Sequence, residues 1–364
     1  MKDISVMICD DSALMRNLLG RIVDEAEGLV LAGKAMNGKF LLEKIPRIKP
    51  DIILLDLEMP EMNGIEFLKE RKRLNINIPV VILSSIAVRG AKVTMEALAL
   101  GASDFILKPS GSISEDIHVV RDRIVTTLLA YGGKSARTFH SESSQPGASP
   151  SIKKEAVKNV PVTSSMPREK GGDIEIVAIG ISTGGPNALR LVLADIDPEF
   201  PVPIVIVQHM PAGFTTEFAK SLNRICPLEV KEVEDGDVLT KGRVFIAPGN
   251  YHIEVEKKKL AAIIHTSSSD VVNGHRPSVD VLFASVAKHY GGNSLAVIMT
   301  GMGRDGALEI GSVFAKGGIT VGQDAESSIV YGMPKVAAER GFIDYVVSVN
   351  DMASTLNKLV KEKR

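Results

Sequence analysis

The first residues that suggest chemistry are three carboxylates at the ends of apolar runs. Asp10 and Asp11 follow the run Ile4–Cys9, and Asp56 follows a second run that begins near Asp51. If both runs are parallel strands, their carboxyl ends meet in one crevice. Carboxylates gathered there repel one another and lose hydration. A divalent cation removes that conflict, and oxygen ligands favour Mg²⁺, so the sequence predicts a magnesium site at Asp10, Asp11 and Asp56.

Two further strand ends supply groups suited to phosphate. Lys108, with Pro109 after it, ends one apolar run, and Ser84 ends another. The lysine offers a point charge to phosphoryl oxygens and the serine offers a hydroxyl. A carboxylate beside Mg²⁺ and a lysine is a sensible phosphoryl acceptor, so we expect Asp56 to be phosphorylated. The alternative is that these acids cap helices or face solvent, which does not account for the whole set.

A second centre is predicted around Ser182. The run Ile174–Ile179 leads into Gly180-Ile181-Ser182-Thr183-Gly184, and a helical pattern follows. A serine in such a strand-to-helix turn is held exposed near backbone N–H groups that stabilise an oxyanion. Glycine-rich turns also bind phosphate, and a serine there also serves as a helix N-cap. The turn alone leaves these interpretations open.

The next strand provides a candidate base. His209 follows the apolar run Ile204–Val207, which we expect to lie beside the strand that carries Ser182. Most of the other histidines fall on predicted helices, in the linker or near a predicted hairpin, and need no catalytic role. His275 is a secondary candidate for contact with a substrate.

Asp305 is the candidate third member. The run Ser294–Thr300 ends in a glycine-rich turn that contains Met302 and Asp305. A carboxylate there would orient the imidazole of His209, and the backbone N–H of Met302 would point at the oxyanion; the simpler role of Asp305 is a helix N-cap. The chain order Ser-His-Asp differs from the Ser-Asp-His order of α/β-hydrolases.

The elements that must position these residues form two α/β domains. In residues 1–131 short apolar strands alternate with helical patterns, which predicts a doubly wound parallel sheet of five strands. The last helix, roughly 114–131, is predicted to end at Gly132-Gly133. Residues 132–172 have the composition of a flexible linker. Residues 173–364 return to the α/β pattern, with a hairpin around Lys257-Lys258-Lys259.

Composition and charge exclude several classes. With 43 basic and 44 acidic residues, the net charge of −1 gives no reason to expect nucleic-acid binding. No apolar stretch is long enough for a transmembrane helix, so the protein is not expected to be embedded in a membrane. The two cysteines, Cys9 and Cys226, fit a reducing compartment, and the cytoplasm is the expected location.

The first domain resembles the receiver domains of two-component response regulators, from Ile4 to about Tyr131. The resemblance includes Asp10-Asp11, Asp56-Leu57-Glu58-Met59-Pro60, Ser84 and Lys108-Pro109. It implies a flavodoxin-like fold and phosphorylation of Asp56 by a partner histidine kinase with Mg²⁺. Ser84 stands where many receivers have threonine, and either residue supplies the hydroxyl.

The second domain resembles the chemotaxis protein-glutamate methylesterase family. The motifs are Gly180–Gly185, Gln208-His209-Met210, His275–Asp280 and Thr300–Gly306. The resemblance implies that Ser182 is the nucleophile, His209 the base, Asp305 its orienter and Met302 N–H an oxyanion donor. It further implies hydrolysis of glutamate methyl esters on chemoreceptors, deamidation of receptor glutamines, no cofactor for hydrolysis, and control by the phosphorylated receiver.

Three other functions are alternatives to this one. A transcriptional response regulator needs a helix-turn-helix output domain, whereas strands and a hairpin are predicted. A nucleotide-binding reductase needs Gly-x-Gly-x-x-Gly, which the turn at Gly180 lacks, and it leaves His209 and Asp305 without a role. The third alternative is a receiver-controlled serine esterase that acts on another protein or on a small ester.

Overall fold

The structure is a computed structural model that describes residues 3–85, 88–108, 116–142, 160–161 and 168–362. Side chains are described in all of these except 88–89, 116–119, 134–142 and 160–161. The chain divides into two compact units, Met1–Lys154 and Glu155–Arg364. The division falls inside the predicted linker 132–172, most of which lies outside the described residues, and the domain bounds of the sequence analysis stay a prediction.

The first unit contains a five-stranded parallel sheet in the order β2-β1-β3-β4-β5. Strands β3 and β4 are buried along their whole length, as expected for a sheet covered by helices on both faces. This confirms the flavodoxin-like, doubly wound arrangement. The strands are β1 (Ile4–Cys9), β2 (Leu29–Ala35), β3 (Ile52–Asp56), β4 (Val80–Ser84) and β5 (Asp104–Leu107).

Helices connect these strands, and local sequence signals account for where they begin. Asn63 accepts from Glu66 N–H while the Glu66 side chain accepts from Asn63 N–H, a capping box that begins the third helix directly beyond β3. The helices are α1 (Ala13–Asp24), α2 (Gly38–Ile48), α3 (Gly64–Arg73), α4 (Val88–Ala99) and α5 (Asp116–Glu142).

The prediction that the last helix of this unit ends at Gly132-Gly133 is wrong. α5 continues through both glycines to Glu142. The structure gives Gly132 a packing role, because a Cβ at this position would lie 2.4 Å from Cγ2 of Ile4 on β1. A glycine can thus mark close approach of a helix to a strand as well as a helix end.

The second unit contains an eight-stranded sheet in the order β6-β15-β14-β13-β7-β8-β10-β9. All pairs are parallel except β6 with β15. The strands are β6 (Val160–Pro161), β7 (Ile176–Ile181), β8 (Ile204–Gln208), β9 (Glu229–Glu232), β10 (Arg243–Ile246), β13 (Ser294–Ile298), β14 (Ile319–Gln323) and β15 (Tyr345–Val347).

The predicted hairpin is present beside this sheet. Strands β11 (His252–Lys257) and β12 (Ala262–Ser267) pair antiparallel, with His252 opposite Ser267. The helices of the unit are α6 (Gly185–Ala194), α7 (Phe214–Asn223), α8 (Val279–His289), α9 (Glu309–Ala315), α10 (Met333–Glu339) and α11 (Val349–Glu362). None of the helices in the described part of the chain is long and apolar enough to cross a membrane.

Strand order explains how distant residues come together. β7 lies between β13 and β8 and runs parallel to both. The three loops beyond their carboxyl ends are therefore neighbours, and these loops carry Ser182, His209 and Asp305. A topology with parallel neighbours places such loops on one edge of the sheet, where α/β proteins bind ligands.

Candidate functional sites

The acidic crevice of the first unit centres on Asp56. This residue ends β3 and is 3% exposed. Its Oδ1 accepts from Leu57 N–H at 2.7 Å, and its Oδ2 lies 2.7 Å from Lys108 Nζ. Burial raises the pKa of the Asp56 carboxyl above its ordinary value, while the hydrogen bond and charge of Lys108 oppose that rise. The lysine therefore favours the ionised form that a nucleophile requires.

Asp10 and Asp11 lie beside Asp56, as the sequence predicts. One carboxylate oxygen from each of the three residues lies within 4.8 Å of the other two. Lys108 Nζ also reaches Asp10 Oδ2 at 3.0 Å, so one ammonium group contacts two of the three. Oxygen donors at this separation suit a Mg²⁺ ion, and the residues present therefore fit the predicted metal.

Ser84 borders the same crevice. A small pocket is lined by Asp56, Ser84 and Lys108 together with residues of the adjoining loops. Ser84 is 2% exposed, and its Oγ lies 2.7 Å from Oγ1 of Thr94 on α4. The structure thus brings together Asp10, Asp11, Asp56, Ser84 and Lys108; Pro109, which follows the lysine, lies outside the described residues.

The candidate nucleophile Ser182 comes directly after β7. Its backbone N–H donates to Thr300 O at 2.9 Å, and its carbonyl accepts from Gly185 N–H at 2.7 Å, which closes the turn into α6. Gly184 has φ 81°, a left-handed conformation that favours glycine. The Ser182 side chain is therefore held partly exposed beside the N-terminus of α6.

His209 lies between Ser182 and Asp305. Its Nδ1 is 3.1 Å from Ser182 Oγ, and its Nε2 is 2.8 Å from Asp305 Oδ2. The His209 side chain is only 8% exposed. Its ring stacks on that of His275, with centroids 3.8 Å apart and an interplanar angle of 12°. The structure thus places His275, predicted as a contact for substrate, against the candidate base.

Asp305 receives hydrogen bonds on both carboxylate oxygens. Its Oδ1 accepts from Asn273 Nδ2 at 2.8 Å and from Ser278 Oγ at 2.7 Å. Its Oδ2 accepts from Val279 N–H at 2.6 Å as well as from His209. Burial by itself raises the pKa of Asp305, but the bonds from His209, Asn273 and Ser278 outweigh it and hold that pKa well below its usual range. Asp305 therefore stays ionised and can accept a hydrogen bond from the imidazole of His209.

Met302 was predicted to donate its backbone N–H to an oxyanion. Within the described part of the chain, neither Met302 N–H nor Thr183 N–H has a protein acceptor. Ser182 N–H is already bonded to Thr300 O, so it is not available. Thr183 is the residue after the candidate nucleophile, a position that often supplies an oxyanion donor.

Sequence reasoning missed several residues of this site. Asn273 bridges two carboxylates, since its Nδ2 also lies 2.6 Å from Asp280 Oδ2. Asn273 precedes the motif that begins at His275, and Ser278 lies inside it. The sequence motif does not reveal the contact of Ser278 with Asp305. The signal that could have revealed it is a cluster of short polar residues just before the apolar helix α8.

The fold and these sites define a response regulator with a phosphoacceptor-type crevice and an α/β hydrolase unit. Two family models match the chain: "Response regulator receiver domain" over residues 6–120 and "CheB methylesterase" over residues 177–356. The protein-glutamate methylesterase/protein-glutamine glutaminase of Treponema denticola is 55% identical over 370 residues, which cover 100% of both chains. The corresponding Treponema pallidum protein is 48% identical, over 99% of this chain and 98% of its own.

A solved structure supports the same assignment for the second unit. The CheB methylesterase catalytic domain of Thermotoga maritima is 40% identical, with a TM-score of 0.51. The match covers 52% of this chain and 100% of that domain. The chain therefore belongs to the CheB methylesterase family of enzymes, and it carries the receiver domain as well as the methylesterase domain.

Proposed function

We propose that the protein is a phosphorylation-activated protein-glutamate methylesterase that also deamidates glutamines. Its substrates would be chemoreceptors bearing γ-glutamyl methyl esters, and a histidine kinase would supply the phosphoryl group. The observation that carries the catalytic part is the continuous chain of contacts from Ser182 Oγ through His209 to Asp305. The names of the relatives support the choice of ester.

In the first half of the reaction Ser182 is acylated. His209 Nδ1 takes the hydroxyl proton while Ser182 Oγ attacks the ester carbonyl carbon. The resulting oxyanion is stabilised by backbone N–H donors, for which Met302 and Thr183 are the candidates. Protonated His209 then gives its proton to the leaving methoxide, and methanol departs. With a glutamine substrate the leaving group is ammonia.

In the second half water replaces methanol. His209 accepts a proton from the water molecule, whose oxygen attacks the acyl carbon, and the bond to Ser182 Oγ breaks. The proton returns to Ser182, and the product is a glutamate side chain. Asp305 keeps its charge throughout and stabilises the imidazolium that forms in both halves. The hydrolysis needs no cofactor in this scheme.

Phosphorylation would take place at Asp56. A carboxylate oxygen of Asp56 attacks the phosphorus of a phosphohistidine, the P–N bond breaks, and the Lys108 ammonium contacts the transferred phosphoryl oxygens. Asp10, Asp11 and Asp56 would hold Mg²⁺, which supplies charge neutralisation when bound. The Ser84 hydroxyl would donate to the phosphoryl group. The acyl phosphate carries about −1.5 to −2 charge in place of the −1 of the carboxylate, and the added charge and bulk alter the packing of the crevice.

Location and partners complete the proposal. The cytoplasm is the proposed compartment, and the two cysteines support it, because Cys9 and Cys226 are buried free thiols. The proposed partners are the chemoreceptors and the histidine kinase, with no nucleic acid and no insertion into a membrane.

The substrate is tested by measuring labelled methanol released from chemoreceptors that carry tritiated methyl esters. The full-length protein should release methanol from receptor glutamates far faster than it hydrolyses a small methyl ester at the same ester concentration. Equal hydrolysis of both esters would instead favour a general esterase. Failure to release any methanol would refute the proposed function.

The switch is tested in the same assay with and without a small phosphodonor. The wild-type protein should be stimulated by the phosphodonor in the presence of Mg²⁺, and Asp56→Asn should not be. Asp24→Asn, at an exposed position on α1, is the matched control and should be stimulated like the wild type. Stimulation that persists in Asp56→Asn would contradict control through this residue.

A further inference from the structure

Gln208 contacts the backbone of both candidate catalytic residues on neighbouring strands. It is the last residue of β8 and is 2% exposed. Its Nε2 lies 3.1 Å from the carbonyl oxygen of Ser182 and 3.3 Å from that of His209. Both oxygens accept only, which fixes the orientation of the amide: the NH₂ group faces the two carbonyls.

The position of this amide matters because the strand ladder ends here. The pairing of β7 with β8 stops at Ile181 opposite Gln208. Beyond it, a backbone hydrogen bond from His209 N–H to Ile181 O at 3.3 Å still joins the two segments. The Gln208 side chain therefore extends the link between β7 and β8 beyond their last paired residues. It reaches Ser182 and His209, whose Oγ and Nδ1 atoms lie 3.1 Å apart.

The other end of the amide fits against the beginning of α6. Within the described residues, Oε1 of Gln208 is buried without a hydrogen-bond partner. A Cβ at Gly185 would lie 1.9 Å from this oxygen, so only glycine leaves room for it. The N-terminus of a helix carries partial positive charge, which suits a buried carbonyl oxygen. The amide is thus held from two sides.

We propose that Gln208 is a positioning residue that fixes the distance and angle between Ser182 and His209. It would not touch the substrate; it would act through the two carbonyl groups. Loss of its donors lets the Ser182 turn and the His209 loop move independently, which weakens proton transfer between them. The proposal rests on the proposed roles of Ser182 and His209 and adds a residue to that machinery.

Gln208→Met provides the main test, because methionine has similar length and no N–H donor. In the full-length protein we expect kcat for methyl ester hydrolysis to fall on the order of 10- to 100-fold with KM unchanged. The rate at which a fluorophosphonate labels Ser182 should fall by the same factor. That reagent reports the reactivity of the serine without using the natural substrate, so it remains informative even if the methylesterase activity is absent.

The matched control is Val205→Ala, a buried position on the same strand. It should lower the Tm while leaving kcat and the labelling rate within about twofold of wild type, since a truncation here does not touch the site. If Val205→Ala reduces labelling as much as Gln208→Met at equal Tm, the role of Gln208 is merely structural and the proposal is overturned.

Gln208→Glu supplies a second, isosteric test that also decides the matter if the methionine variant does not fold. A protonated carboxyl group can still donate one hydrogen bond, whereas the carboxylate faces two carbonyl oxygens and repels them. Labelling of this variant, taken relative to wild type at each pH because His209 also titrates, should decrease as pH rises. A flat ratio close to one, or a Gln208→Met variant as reactive as wild type, would refute the proposal.

Discussion

His209 Nε2 lies 2.8 Å from Asp305 Oδ2, and His209 Nδ1 lies 3.1 Å from Ser182 Oγ, so the two ring nitrogens face different partners. Because Asp305 is held ionised it can only accept, so the proton of the neutral imidazole belongs on Nε2. Nδ1 then carries the lone pair that can take the serine proton. In the serine protease template the two nitrogens have the opposite assignment. The proposed roles of the three residues are the same as in that template, although the ring faces the serine with its other nitrogen.

The variant Asp305→Asn tests this tautomer. The amide can present its NH₂ group to Nε2, which would favour a proton on Nδ1 and deprive Ser182 of its acceptor. We expect kcat to fall on the order of 10⁴-fold, as when the orienting aspartate is replaced in other triads. The rate of methanol release gives kcat, and Asp173→Asn, at an exposed position, is the control. Activity within tenfold of wild type would show that Asp305 does not orient the base.

Stability at acid pH should also depend on Asp305. The folded state lowers its pKa, so the unfolded chain binds the proton more readily. Ionised Asp305 contributes its full share of stability above pH about 4, the pKa of an aspartate in the unfolded chain. This contribution is lost as pH falls below that value. The protection of the β7 amides, taken relative to their intrinsic exchange rates at each pH, should therefore fall more steeply below pH about 4 in wild type than in Asp305→Asn. Parallel profiles would contradict the low pKa of Asp305.

Because the His275 ring stacks on that of His209, we expect the loss of this ring to lower kcat. Aromatic pairs contribute about 0.5–1.5 kcal/mol, so His275→Ala should lower kcat by about two- to tenfold. His275→Phe keeps a flat ring at 3.8 Å and should retain most activity. Steady-state kinetics of the two variants distinguish stacking on His209 from direct contact with substrate. If His275→Phe lowers kcat as much as His275→Ala, the ring nitrogens of His275 contact the substrate.

Lys108 should control phosphorylation of Asp56. Its ammonium contacts both Asp56 and Asp10, and it opposes the rise in the Asp56 pKa that burial causes. Lys108→Gln removes this charge, and charge-assisted bonds of this type are worth about 1.5–3 kcal/mol. Incorporation of ³²P from a small phosphodonor should slow by about 10- to 100-fold. The exposed Lys69→Gln is the control; equal rates in both variants would exclude a role for Lys108.

Chain order and the periodicity of apolar residues predict much of the fold and of both sites. Ser182, His209 and Asp305 could be predicted because each follows an apolar strand of a parallel sheet, and such ends converge. The receiver carboxylates follow by the same rule. The contacts of Asn273 and Ser278 with Asp305 could not be predicted, since they depend on how the loop before α8 folds over its neighbours. No periodicity encodes such a loop.

The errors have the same origin. The pattern Gly132-Gly133 favours a helix end locally, but α5 continues because Gly132 allows the helix to approach Ile4 on β1 closely. Strand β9 was not predicted, since Glu229–Glu232 is largely polar and pairs only at the sheet edge. Tertiary contact decided both cases, and local sequence carries little information about it.

The most direct test of the central claim is methanol release from methylated chemoreceptor by Ser182→Ala. If Ser182 is the nucleophile of a triad with His209 and Asp305, the rate should fall by about 10⁴- to 10⁶-fold. Ser354→Ala, an exposed serine on α11, should behave like the wild type. A Ser182→Ala rate equal to that of wild type would contradict the proposed mechanism, because Ser182 is its nucleophile.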